Sequence, residues 1–297
     1  NIGIAAFVET DKCSSSWIEK CNAMDHIIVP STFTKNVIKR SGNVRKKISV
    51  VPEWYNHSIC DDSAKLEGVE LSTENNFLMI AQLTDAQPEL DRKNIVNTIA
   101  WFCEVFKEDP TVGLLLKTNM GRGTSKDKLM TQDYIKSVIS HFRSGSKYPA
   151  IHLLHGNMKS EEVAGLYKIN SIKGFLSCTR GEGYGLPLID AAVAGMPIIV
   201  TDWSGHLEFL KENMYLGVKY DMTEIPKQKI DGRIFYEGFR WANPRKESFI
   251  DCLQNLNKNY DMHKNVAQKL AKNVQEQFNK VEIMHLYNKI FNEVVNT

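Results

Sequence analysis

The sequence predicts an α/β protein built from doubly wound, mostly parallel sheets. Three observations lead there. Apolar runs of strand length recur along most of the 297 residues, helical patterns fill the gaps between them, and most runs are continuous rather than alternating. Continuous runs suit parallel strands covered on both faces, and regular strand–helix alternation implies right-handed β-α-β units.

Taken in order, the first expected strand is Ile4–Val8. A helix over Ser14–Met24 follows, with Trp17, Cys21 and Met24 on one stripe. Strands His26–Val29 and Ile48–Val51 complete a set of three strands and two helices that ends near Pro52. The stretch Glu53–Asn75 is polar and irregular and reads as a linker. A second set supplies strands Phe77–Ala81, Gly113–Lys117, Ile151–Leu154, Gly174–Cys178, Pro197–Thr201 and Tyr215–Val218. Its helix Asn94–Phe106 carries Ile95, Ile99, Phe102 and Phe106 on one face, and its helix Ser160–Tyr167 has Ser160 as the expected N-cap. Lys219–Trp241 reads as an irregular insertion, and helices from Lys246 to Val295 close the chain. The expected units are 1–75, 76–278 and 279–297, the last a helix packing back toward the first unit.

Composition adds bounds. Hydrophobic residues make up 42% and charged residues 24%, ordinary for a globular protein. A net charge of +2 gives no global case for nucleic acid or an anionic membrane. No apolar stretch approaches the length of a spanning helix, and the start carries no secretory pattern. The six cysteines are scattered, which argues against a zinc site or disulfide framework and favours a reducing compartment. A cytoplasmic location is the expectation, compatible with peripheral membrane contact. The chain opens on Asn1 and enters an apolar run at once, so an N-terminal portion is expected to be missing.

The richest segment runs from Gly174 to Val200. A buried strand ends at Cys178, a turn carries Gly181, Gly183 and Gly185, and a helix starts near Leu186–Pro187, where proline suits the first turn. Gly195 ends that helix and Pro197 leads into the next strand. A strand, a glycine turn and a helix N-terminus together make an anion site for a diphosphate. Glu182 lies in the turn, where a carboxylate can accept hydrogen bonds from sugar hydroxyls. Asp190 follows eight residues later, two turns along the same side, where it could hold both hydroxyls of a ribose. Alone, Glu182 reads as a solvated loop acid, as short motifs often do.

The joined segment resembles the signature of retaining glycosyltransferases of the GT-B fold, family 4-like, in which a Glu-x7-Glu pair frames Gly-(Phe/Tyr)-Gly-Leu-Pro. Here the second acid is Asp190. The resemblance implies two Rossmann-like doubly wound domains facing a cleft, with the N-terminal domain incomplete. It also implies transfer of a sugar from a UDP-, GDP- or ADP-linked donor to an acceptor hydroxyl, with retention; because basic side chains and backbone N–H groups can hold the leaving-group charge, no metal or other cofactor is expected. Catalytic roles fall on Glu182 and Lys93, the latter within Asp91-Arg92-Lys93-Asn94. Donor contacts fall on Asp190, Gly183, Tyr184, Gly185, Leu186, Lys117, Asn157, Gly205 and His206. Glu9, within Phe7-Val8-Glu9-Thr10-Asp11, is the acceptor-side candidate. The plainer readings are an edge-of-strand lysine for Lys117, a surface histidine for His206 and a turn-stabilising acid for Glu9. No Asp-x-Asp pair stands at a strand end, in keeping with metal independence. The acceptor, whether glycan, lipid, protein or small molecule, is unspecified, as is the oligomeric state, and a nucleic-acid acceptor is not indicated. Two alternatives stand beside the transferase: a GT-B sugar-nucleotide epimerase, and a non-catalytic nucleotide-sugar-binding module.

Overall fold

The structure is a computed structural model that describes residues 1–6, 9–143 and 145–295. In its first sheet, β1 (Ile2–Ile4), β2 (His26–Val29) and β3 (Lys47–Val50) run parallel in the order β1-β2-β3. The crossovers are α1 (Ser15–Asn22) and α2 (Thr32–Ser41). Ile27 and Val29 of β2 pack against Ile18, Cys21, Val37 and Ile38 of these helices. Ile28 faces the other way, onto Ile283 and Ile290 of the last helix, α9 (Lys280–Val295). The first strand lies earlier than Ile4–Val8, because β2 sets the pairing and its first residue, His26, stands opposite Ile2. Phe7 and Val8 of the expected strand lie outside the described residues.

The second sheet has six parallel strands: β4 (Asn75–Ile80), β5 (Val112–Lys117), β6 (Ala150–Leu154), β7 (Ile172–Ser177), β8 (Ile198–Thr201) and β9 (Leu216–Val218). Their order is β6-β5-β4-β7-β8-β9. The chain winds from β4 to one edge, returns to the middle at β7 and winds to the other edge. The crossovers diverge at β4 and β7, which leaves a crevice outside the carboxyl ends of those two strands. One face of the sheet is covered by α3 (Ile95–Val105), α4 (Ser125–Arg143) and α7 (Lys246–Lys258), with Ile95, Ile99, Phe102, Ile135, Phe249 and Leu253 in the core. The other is covered by α5 (Ser160–Leu166), α6 (Leu186–Val193) and α8 (Tyr260–Gln277), through Leu166, Leu188, Ile189, Val193, Leu270 and Val274. Ser160 is the first helical residue of α5 rather than its cap. The exposed N–H of Lys159 is met instead by Glu162 Oε2 at 2.7 Å.

Two connections carry more structure than their polarity suggests. The linker after β3 is laid onto the larger sheet, burying Tyr55, Ile59 and Ala64 in its core. The stretch expected to be an irregular insertion holds an antiparallel ribbon, β10 (Tyr220–Glu224) paired with β11 (Arg240–Pro244). A cluster of Ile225, Phe235 and Trp241 supports it. Among the described residues, no helix is long and apolar enough to cross a membrane.

Candidate functional site

The crevice between β4 and β7 brings together groups far apart in sequence. The loop after β4 delivers Arg92 and Lys93, and the turn after β7 delivers Glu182. Lys93 Nζ lies 2.5 Å from Glu182 Oε1, and Arg92 Nη1 lies 3.5 Å from Oε2. Thr179 Oγ1 donates to Oε1 at 2.8 Å. On the far side of Arg92, its Nε pairs with Glu9 Oε2 at 2.8 Å. Glu9, Arg92, Glu182 and Lys93 therefore form one ladder of alternating charge reaching from the first unit into the second.

Burial alone would raise the Glu182 carboxyl, but Lys93, Arg92 and the hydrogen bonds from Lys93 and Thr179 outweigh it and hold the group at about 2. Glu9 shifts the other way. Burial raises it above the usual glutamate value, with Arg92 opposing and the nearby Glu182 charge adding to the rise. Glu182 is thus a buried ion held by partners, and the solvated-acid reading of it does not apply.

A network under the ladder fixes its two loops. Asp91 is fully buried and accepts from the N–H groups of Thr84, Lys93 and Ile95 and from Thr84 Oγ1, closing the loop before α3. Arg180 is buried beside it, donating to the Asp91 carbonyl at 3.3 Å and to Asn243 Oδ1, with its guanidinium over the Trp241 ring at 5.4 Å. The Arg180 N–H bonds the Arg92 carbonyl at 2.8 Å, so the two loops are joined main chain to main chain.

The rest of the turn is defined by close backbone approach. Gly185 starts α6 at φ +97°, a left-handed conformation that favours glycine, and no side chain caps the helix. Gly205 N–H donates to the Glu182 carbonyl at 2.9 Å, and its α-carbon lies so close to Gly183 that a side chain has no room. The Gly183 carbonyl accepts from Ser31 Oγ at 2.8 Å, joining the turn to the start of α2. The Tyr184 ring packs on Phe209, and its hydroxyl donates to the Glu53 carbonyl at 2.8 Å. Tyr184 therefore braces the turn against the linker. Leu186 is exposed on the first turn of α6.

Asp190 lies along α6 in a pocket of about 370 Å³ lined by Trp54, His57, Met158, Val163 and Leu186 among others. Its Oδ1 accepts the Asn56 N–H at 2.9 Å, a linker contact with no sequence signal. Burial pushes its carboxyl up to about 6, with the Asn56 bond opposing. Lys117 and Asn157 come together beyond β5. Lys117 Nζ donates to the Gly156 carbonyl at 2.6 Å, burial lowers its pKa, and Asn157 is exposed on the same loop. His206 is not a surface histidine. It is fully buried under the turn, with Nε2 2.8 Å from the Thr201 carbonyl and its pKa lowered by burial. A neutral ring that donates from Nε2 leaves Nδ1 as the acceptor facing Ser204 Oγ at 3.4 Å. A larger groove of about 680 Å³ between α6 and α8 contains none of these groups.

Sequence reasoning missed Arg92 and Arg180 as site-forming residues. Arg92 stood within the quoted run beside Lys93. Arg180 gave no signal, because an arginine in a glycine turn reads as exposed.

The fold and crevice define the class: an α/β structure of the GT-B type. Residues 147–229 match the family model described as Glycosyl transferases group 1. No curated protein is similar enough in sequence to count as a relative. Solved structures agree in fold at low identity. Sucrose-phosphate synthase from Thermosynechococcus elongatus is 16% identical with a TM-score of 0.67, covering 94% of this chain and 61% of that one. A glycosyltransferase from Rickettsia africae is 15% identical with a TM-score of 0.66, covering 99% and 70%. The pneumococcal O-GlcNAc transferase GtfA, solved in complex with UDP and GlcNAc, is 15% identical with a TM-score of 0.62, covering 100% and 53%. The chain thus spans only 61% of the first of these structures and 53% of the last.

Proposed function

We propose that this chain is a glycosyltransferase that takes a sugar from a UDP-, GDP- or ADP-linked donor to an acceptor hydroxyl, with retention at the anomeric carbon and without a metal. The observation that carries the reading is the meeting of Glu182 with Lys93 and Arg92 at the switch point, beside the uncapped start of α6. Sugar transfer requires the anomeric C–O bond to break, leaving an oxocarbenium-like centre and a departing diphosphate. Lys93, Arg92 and the N–H groups at the start of α6 supply positive charge to that leaving group. With charge supplied by side chains and backbone, the mechanism needs no cation. Glu182, kept ionised, would accept hydrogen bonds from sugar hydroxyls, and Asp190, whose Oδ1 holds the Asn56 N–H, would keep Oδ2 for the ribose. The family match over the segment containing Glu182 and Asp190, and the UDP in the complex of GtfA, support a nucleotide donor.

A thermal-shift screen with UDP-, GDP- and ADP-glucose identifies the donor, since binding to the folded state raises its stability. Turnover is then read as release of the nucleoside diphosphate. Glu182→Ala is expected to lower it about 100-fold or more, the scale of losing a group that acts in the transition state. Wild-type turnover in that variant sinks the reading.

A further inference from the structure

The β10–β11 ribbon and its connection contact the segments on three sides of the Glu9–Arg92–Glu182–Lys93 ladder. Ala242 N–H donates to the Arg180 carbonyl at 3.0 Å, on the turn that carries Glu182. Lys229 Nζ reaches the Thr84 carbonyl at 3.3 Å and Asp85 Oδ2 at 3.4 Å, on the loop that carries Arg92 and Lys93. The third set of contacts goes to the first unit. Asp11 N–H donates to the Arg240 carbonyl at 2.8 Å, Arg240 N–H returns a bond to Asp11 Oδ1 at 2.7 Å, and Arg240 Nε reaches Oδ2 at 3.0 Å. Trp17 Nε1 and Lys12 Nζ add bonds to the carbonyls of Arg233 and Gly238, at 3.2 and 3.3 Å.

Asp11 stands two residues from Glu9. On its other side the Glu9 main chain abuts Gly181, next to Glu182. The segment 9–11 is therefore held between the ribbon and the turn, and its position sets where the Glu9 carboxylate meets Arg92. We propose that the ribbon is a positioning element of the reaction cleft: by clamping Asp11 through Arg240, it fixes Glu9 on the acceptor side of the Arg92–Glu182 pair. Asp11 and Arg240 are positioning residues. They govern the catalytic step and leave donor affinity to Glu182, Lys93 and Asp190. This rests on the glycosyl-transfer reading above.

The experiment compares the full chain with Asp11→Ala, Asp11→Asn and Glu9→Gln, using UDP-, GDP- or ADP-glucose, whichever the wild type binds, and water as the acceptor. Asp11→Asn keeps an oxygen for the Arg240 N–H; Asp11→Ala keeps none. Asp11→Ala is expected to lower kcat for donor turnover roughly 10- to 100-fold, the scale of a misplaced reacting group. It should match Glu9→Gln, with donor Kd by calorimetry changed less than about twofold, well under the tenfold that a lost 1.4 kcal/mol would give. Asp11→Asn, which keeps the acceptor for the Arg240 N–H but loses the one for Arg240 Nε, should recover part of the rate. Amide hydrogen exchange should rise over residues 9–12 in Asp11→Ala and stay unchanged over 174–193, which separates local release from unfolding. Wild-type kcat in Asp11→Ala, a donor Kd that weakens in step with kcat, or failure of Asp11→Asn to rescue overturns the proposal. If the wild type turns over none of the three donors, the transfer reading fails. The exchange experiment then decides the clamp alone: unchanged exchange over 9–12 in Asp11→Ala refutes it.

Discussion

Replacing Gly205 by alanine tests whether the turn at the crevice depends on backbone-to-backbone contact. The new methyl would stand 2.8 Å from the Glu182 carbonyl oxygen and closer still to the carbonyl carbon and oxygen of Gly183. Carbon contacts settle at about 3.5–4.0 Å, so the two loops must part by roughly 1 Å. No flexible side-chain end is there to give way. Forced overpacking costs about 1–3 kcal/mol, and loss of the Gly205 N–H bond to Glu182 adds about 1 kcal/mol. The sum is about 2–4 kcal/mol. An unfolding entropy of about 2.1 cal/mol/K per residue over a chain of this length turns that into a Tm lower by roughly 3–6 °C. Since Glu182 and Gly183 move together, turnover should fall further than stability, by about 100-fold for a displacement near 1 Å. Thermal melting by circular dichroism and nucleoside diphosphate release read the two effects. A variant that melts within about 1 °C of wild type and keeps its rate refutes the close-packing account.

Two predictions concern pH. Glu182 is held at about 2, below its usual 4.5, so its ion pairs contribute stability that is present above about 4.5 and lost as pH falls toward 2. Glu182→Gln should melt below wild type at neutral pH, by a contribution on the order of 3 kcal/mol, and the gap should narrow as pH drops through that window; a gap independent of pH would contradict it. Asp190 is shifted the opposite way, from 3.8 to about 6, so its ionisation costs stability that is fully present below about 3.8 and lost as pH rises through about 6. Asp190→Asn, which keeps an oxygen for the Asn56 N–H, should melt above wild type at pH 8 and equal to it near pH 4. A variant less stable than wild type at pH 8 would show that the charged carboxylate is better satisfied than its burial indicates.

The parts legible in the sequence were those with local patterns. Continuous apolar runs located the strands of the larger sheet, and the glycines flanking Glu182 marked the turn before α6. What stayed hidden were pairings between distant residues. β10 and β11 are separated by a long connection and carry no tight-turn signal, so the stretch read as irregular. The Asn56 bond to Asp190 comes from a backbone N–H, which any residue would supply. His206 looked like a loop histidine because nothing local shows that the turn folds over it. Arg180 is buried because Asp91, Asn94 and Asn243, scattered through the chain, converge on it.

The ladder Glu9–Arg92–Glu182–Lys93 is electrically balanced, two acids against two bases. An isolated inorganic phosphate arriving there would have to pull a cation from its carboxylate and leave that carboxylate buried with nothing in exchange, a costly state. A sugar diphosphate offers both halves of the trade at once, phosphate oxygens for Lys93 and Arg92 and hydroxyl protons for Glu182. Under the proposed transfer reading, the balanced ladder would act as a coincidence detector, favouring a ligand that carries charge and hydroxyls on one frame over a lone phosphate.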